Sequence, residues 1–181
     1  MEVALAKVCG EDDIITSISL EGLDASYKHP VQNAENFWNH ISPHQIRSRL
    51  GENMWASYFT FTIVRNPWDR MASKYFYKKD TEPQNMKLSF HEWVKSGRFS
   101  NSKWYFRNGQ PDFDFFLRFE NLNNDYQQLC ESLNLDINEL PFAKKSARTI
   151  PYWEHYDDEA KEIVKQYFAQ DIKHFNYEFG V

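Results

Sequence analysis

Arg65, Asn66, Arg70 and Ser73 are the residues whose types and spacing could act together chemically. Arg65 directly follows Phe59-Thr60-Phe61-Thr62-Ile63-Val64, a β-branched and aromatic run that suits a buried strand. After it come Asn66, a good N-cap, Pro67, a good first helical residue, and Asp69, a negative charge in the first turn where the helix dipole favours it. The spacing predicts a strand, a tight turn and a helix. On that helix Asn66, Arg70 and Ser73 fall at i, i+4 and i+7, hence on one face. In sheets built of βα units, ligands bind where strand ends meet free helix N-termini. An arginine and a hydroxyl at that point would clamp phosphate, because the planar guanidinium donates two parallel hydrogen bonds. Each such charged bond contributes about 1.5–3 kcal/mol. A surface arginine and a packed serine satisfy the same spacing, so the residues alone leave both readings open.

The elements that must hold these side chains are written with varying clarity. Residues 2–8 read as a helix, 13–18 as a short strand and 21–36 as a loop rich in Gly, Asp, Ser, Pro and Asn. Ser42-Pro43 opens a helix through about Leu50, which Gly51 stops. Residues 88–96 read as a helix, 97–112 as an aromatic-rich polar loop and 115–119 as a second core strand. A helix over 122–133 carries apolar residues at 122, 126, 129, 130 and 133. An irregular segment, 134–156, contains Lys144-Lys145-Ser146-Ala147-Arg148; Asp157 then caps a final helix through about Asp171. Strands separated by helices predict an α/β fold with a parallel sheet flanked by helices.

Composition sets the outer bounds. With 181 residues, 41% of them hydrophobic and 17% aromatic, the chain reads as one domain with a real core. No apolar run is long enough to span a membrane, and no basic stretch followed by an apolar one marks a secretory signal, so a cytoplasmic chain is expected. Cys9 and Cys130 have neither metal nor disulfide spacing and read as buried free thiols. A net charge of −5 speaks against nucleic acid as a partner. An anionic ligand would have to be held by a few placed cations rather than by a global field.

The run Phe61-Thr62-Ile63-Val64-Arg65-Asn66-Pro67-Trp68-Asp69-Arg70-Met71-Ala72-Ser73-Lys74-Tyr75 resembles the 3′-phosphate-binding signature of the carbohydrate-type sulfotransferases. The similarity continues in Leu117-Arg118-Phe119-Glu120-Asn121-Leu122, in Lys145-Ser146-Ala147-Arg148, and in Tyr152, Tyr156-Asp157 and Tyr177-Glu178-Phe179, in the family's order. The resemblance implies a domain related to P-loop kinases that uses 3′-phosphoadenosine 5′-phosphosulfate (PAPS) as sulfuryl donor, releases 3′-phosphoadenosine 5′-phosphate (PAP), needs no metal and acts on a carbohydrate hydroxyl. Arg65 and Ser73 match the positions that hold the donor's 3′-phosphate. Ser146 and Arg148 match a late loop that closes over the nucleotide. Trp38-Asn39-His40-Ile41-Ser42 resembles the stretch where uronic-acid 2-O-sulfotransferases carry a catalytic histidine, which makes His40 the candidate base. The second histidine of those enzymes falls at Trp38 here. His29, His44, His91, His155 and His174 carry no such match and read as structural.

Family members also open with an apolar strand and a loop of the type Pro-Lys-Thr-Gly-Gly-Thr-Ser that cradles the 5′-phosphosulfate. This sequence holds no such loop; its opening Met1-Glu2-Val3-Ala4-Leu5-Ala6-Lys7 resembles the helix that should follow it. The expectation is a truncated domain lacking the first strand and phosphate loop, with exposed sheet edges that would invite self-association. The alternative to an active enzyme is a relative that still binds PAP or a glycan without catalysis. A kinase-like phosphotransferase is disfavoured by the absence of a Gly-Lys-Ser/Thr loop.

Overall fold

A computed structural model describes residues 1–19, 28–97, 99, 104–136, 140 and 150–181. In chain order the elements are α1 (Glu2–Leu5), α2 (Pro43–Leu50), α3 (Glu52–Ser57), β1 (Phe61–Val64), α4 (Pro67–Thr81), α5 (Phe90–Lys95), β2 (Phe106–Arg107), β3 (Gln110–Pro111), β4 (Phe115–Arg118), α6 (Leu122–Ser132), α7 (Asp158–Tyr167) and α8 (Ala169–Phe175). Strands β1 and β4 are neighbours in a two-stranded parallel sheet, and β2 pairs with β3 antiparallel. The mixed helix and strand order is that of an α/β protein. Two compact units share the chain: Met1–Thr62, Phe106–Leu117 and Asn121–Lys145 form the first, and Ile63–Tyr105, Arg118–Glu120 and Ser146–Val181 the second.

The first unit packs around α6. Leu129 and Leu117 are fully buried, joined by Tyr126, Cys130 and Ala4 of α1. Tyr126, Leu129 and Cys130 recur at the spacing of one helical face, so the 122–133 pattern does what it predicts. The starts of the two strands are aligned by Thr60, whose N–H and hydroxyl donate to Asp114 Oδ2 at 2.7 and 2.8 Å while its carbonyl accepts from Asp114 N–H at 2.9 Å. Helix α2 carries the expected cap: Ser42 accepts from Gln45 N–H, the Gln45 side chain returns the bond, and Gly51 ends the helix at φ +84°. Arg47, 6% exposed, holds Asp112 with both carboxylate oxygens at 2.7 Å.

The second unit is an aromatic core on α4. Pro67, Trp68, Met71, Ala72 and Tyr75 line the buried face of that helix, which packs against α5, α7 and a 3-10 turn over Tyr152–His155. Tyr75 meets Phe90 edge-on at 5.3 Å, and Trp68, Tyr152 and Tyr156 all pack edge-on against Phe179 at 5.5–5.8 Å.

Several expectations need correction. The 13–18 strand reduces to a single bridge between Ile15 and Gln32. The run at 59–64 is strand only from Phe61 onward, and it is not buried throughout: Val64 is 1% exposed but Ile63 36%. The 97–112 segment is not all loop, because Asn108-Gly109, both at positive φ, close the β2–β3 hairpin. Asp157 does cap a helix, accepting from Ala160 N–H at 2.8 Å, but that helix stops at Tyr167 and α8 begins after Phe168. Cys130 is buried as expected, whereas Cys9 is exposed. Among the described residues no helix is long and apolar enough to cross a membrane.

Candidate functional site

The β1–α4 junction is built by Asn66. Its side-chain oxygen caps α4 by accepting from Trp68 N–H at 3.1 Å, and its amide nitrogen donates to the Glu178 carbonyl at 2.8 Å and to the Tyr152 hydroxyl at 3.4 Å. The backbone N–H of Asn66 donates to Glu120 Oε1 at 2.5 Å. That hydroxyl of Tyr152 also accepts from Gly180 N–H at 2.7 Å. One buried asparagine therefore ties the strand end to Glu120 and to the chain's last residues. Burial pushes the Tyr152 phenol above its ordinary value, so it stays a neutral donor and acceptor at physiological pH.

On this anchored turn, Arg65 lies beside the first turns of α4. Its Nε donates to Asp69 Oδ2 at 2.7 Å and Nη1 to Ser73 Oγ at 3.1 Å, with Nη2 2.6 Å from the same Asp69 oxygen. The guanidinium carbon lies 4.0 Å from the centre of the Phe119 ring, and the side chain keeps 19% of its surface. Arg65 and Ser73 are thus brought into direct contact. The helical face that groups Asn66, Arg70 and Ser73 breaks up, because Arg70 turns elsewhere. Its Nη1 donates to the Tyr105 hydroxyl at 3.0 Å and Nη2 sits 3.8 Å from Asp171, which is 3% exposed. Burial raises the Asp171 carboxyl to about 6, against the opposing pull of Arg70. Asp69, Glu120, Phe119 and Asp171 were not among the predicted site residues. The i,i+4 spacing of Arg65 and Asp69 was the available signal for the first; Phe119 and Glu120 lie in a run that the resemblance covers, and the contact of Asp171 with Arg70 is long-range.

His40 belongs to the first unit. It lies on a bend before α2 with φ +61°, a left-handed conformation uncommon for a non-glycine residue, and it lines a cavity of about 560 Å³. Phe37, Trp38, Trp55 and Tyr58 supply aromatic walls to that cavity, and Glu2, Asp12 and Asp13 line it too. Trp38 is 44% exposed. Ser146 and Arg148 lie outside the described residues. Among the described residues no group of three His, Cys, Asp or Glu side chains is placed to hold a metal ion.

Comparison with known proteins bears on what this arrangement does. An uncharacterized protein of Archaeoglobus fulgidus is 33% identical over 96 residues, which cover 50% of this chain and 79% of that one. No solved structure matches. Residues 12–178 match the model of the family described as the sulfotransferase family, a span that takes in His40, the β1–α4 turn and the late loop alike. By that match the chain belongs to the sulfotransferase family.

Proposed function

We propose that the protein transfers a sulfuryl group from PAPS to a hydroxyl of a carbohydrate acceptor, with residues 1–181 acting as one domain. The observation that carries the donor half is the Arg65–Ser73 contact at 3.1 Å on the turn between β1 and α4. The second Nη1 hydrogen and the Ser73 hydroxyl, held side by side by this contact, can both donate to one incoming phosphate oxygen, an arrangement that suits a 3′-phosphate. Ser146 and Arg148 complete the nucleotide's enclosure in this reading. PAPS brings the activated sulfuryl group; the protein's own task is to hold the nucleotide and take the acceptor's proton. His40 is assigned that proton, as a histidine in a cavity large enough for a sugar. A single family match crossing both units supports treating them as one functional domain.

Calorimetric titration with PAP, with adenosine 5′-monophosphate as the control lacking a 3′-phosphate, tests the donor half. Selective PAP binding that Arg65→Ala weakens by about tenfold or more is expected, the loss of one charged bond being worth about 1.5–3 kcal/mol. Equal binding of the two nucleotides would sink the assignment. His40→Ala should lower sulfation of a sugar acceptor by about 10²–10⁴-fold and leave PAP affinity unchanged; retained turnover removes His40 from the chemistry. The second reading, a PAP- or glycan-binding relative without catalysis, predicts intact PAP binding with no sulfation by the unaltered chain.

A further inference from the structure

The carboxylates around the His40 cavity carry information about the acceptor that the family match does not. We propose that this cavity selects a saccharide bearing a protonated amino group and rejects one bearing a uronate, an inference that rests on reading it as the acceptor site. Its volume of about 560 Å³ falls within the usual range for small-molecule clefts. Trp38, Trp55 and Tyr58 line the cavity, side chains of the kind that pack against the C–H faces of a sugar ring. Asp12 and Asp13 line the same space, and no lysine or arginine does among the described residues. Asp13 is fixed by accepting from Gly10 N–H at 2.6 Å, while Asp12 is exposed and makes no ion pair with a described residue.

The neighbouring cations offset this field only in part, Arg49 by one charge against three lining carboxylates. Arg47 lies over the Trp55 ring at 4.4 Å, but its charge is met by Asp112 at 2.7 Å. Arg49 lies over Trp38 at 4.7 Å and donates to the Gln45 carbonyl at 3.1 Å; like Arg47 it contributes nothing to the cavity lining. Glu2 is the third lining carboxylate; Asp12, exposed and without an ion pair to a described residue, is the one to change. An ammonium among these groups gains attraction and a uronate meets repulsion, whereas the hydroxyls and ring faces common to both sugars do not discriminate.

The test is tryptophan fluorescence titration of the full chain with trisaccharides of glucosamine, glucose and galacturonate, below the pKa of the sugar amine and at low salt. The glucosamine trimer should bind about fivefold or more tighter than the glucose trimer, with the galacturonate trimer weakest, as expected for one unit charge near a carboxylate in water-like surroundings. Asp12→Asn should shrink the glucosamine preference, added salt should do the same, and Trp38→Ala should weaken all the trimers together. A galacturonate trimer that binds as tightly as the glucosamine trimer overturns the proposal. So does a preference unmoved by Asp12→Asn, or the failure of every trimer to bind. PAP titration of the same samples keeps the two ideas apart: PAP binding without the sugar preference removes only the acceptor assignment, whereas lost PAP selectivity strikes the donor reading.

Discussion

At the scale of single residues, the proposed phosphate clamp at Arg65 is one held ready by a competitor. Asp69 accepts from Nε at 2.7 Å and stands 2.6 Å from Nη2, so the guanidinium is oriented by the carboxylate that an incoming anion must tolerate. Like charges about 4 Å apart repel by about 1 kcal/mol in water-like surroundings. Asp69→Asn keeps an oxygen acceptor for Nε while removing that charge, so PAP should bind about fivefold tighter at low salt, the gain fading as salt is raised. Unchanged or weaker binding across the salt series would show that Asp69 contributes more by orienting Arg65 than it costs by repulsion. Arg65 and Ser73 could be read from the sequence because both lie on one strand–turn–helix, where local spacing fixes proximity. Arg70 could not be separated from them by spacing, since its long side chain is drawn to Tyr105 and Asp171, distant in sequence.

At the scale of elements, the anchored turn is the feature that local pattern revealed only in part. Asn66 as N-cap and Pro67 as first helical residue were legible; the bonds from Asn66 to Glu178, Tyr152 and Glu120 were not, because they join residues 54 to 112 positions apart. Asn66→Ala removes a cap worth about 1 kcal/mol. It also leaves the Glu178 carbonyl short of a donor in a site where Asn66 is 3% exposed, which costs about 1–3 kcal/mol more. Chemical denaturation should therefore show a loss of about 2–4 kcal/mol, with PAP affinity falling alongside it. A loss below about 1 kcal/mol would mean that the cap alone matters. The β2–β3 hairpin was missed although Asn108-Gly109 is a strong two-residue turn signal, because each strand is only two residues long and shows no alternation to read. The α7–α8 break was missed because Phe168 and Phe175 keep the apolar pattern running across it.

For the molecule as a whole, stability should carry a pH signature set by Asp171. Its carboxyl sits near 6 in the folded chain against an ordinary 3.8, chiefly because burial penalises the charged form. The folded state therefore holds this proton more tightly than the unfolded state does. Between about pH 4 and 6 the folded chain binds more protons at this site, so stability falls as pH rises. The whole shift, from 3.8 to about 6, corresponds to about 3 kcal/mol, a large share of the roughly 5–15 kcal/mol that holds a typical domain folded. Other carboxylates pull the opposite way: Asp157 is held below its ordinary value by the Ala160 N–H, and Glu159 by Lys95, so each adds stability as pH rises. The raw curve mixes these trends, and the variant isolates one of them. Asp171→Asn keeps the shape and removes the titration, so all other groups cancel in the difference between variant and parent. That difference should move in the variant's favour by up to about 3 kcal/mol from pH 4 to 7, whatever constant offset the lost partner of Arg70 adds. Urea denaturation at pH steps across that window measures it directly. A flat difference would mean that Asp171 is charged at both ends, its proton displaced by Arg70 despite burial, and that the Arg70–Asp171 contact at 3.8 Å is a full ion pair rather than a strained neighbour.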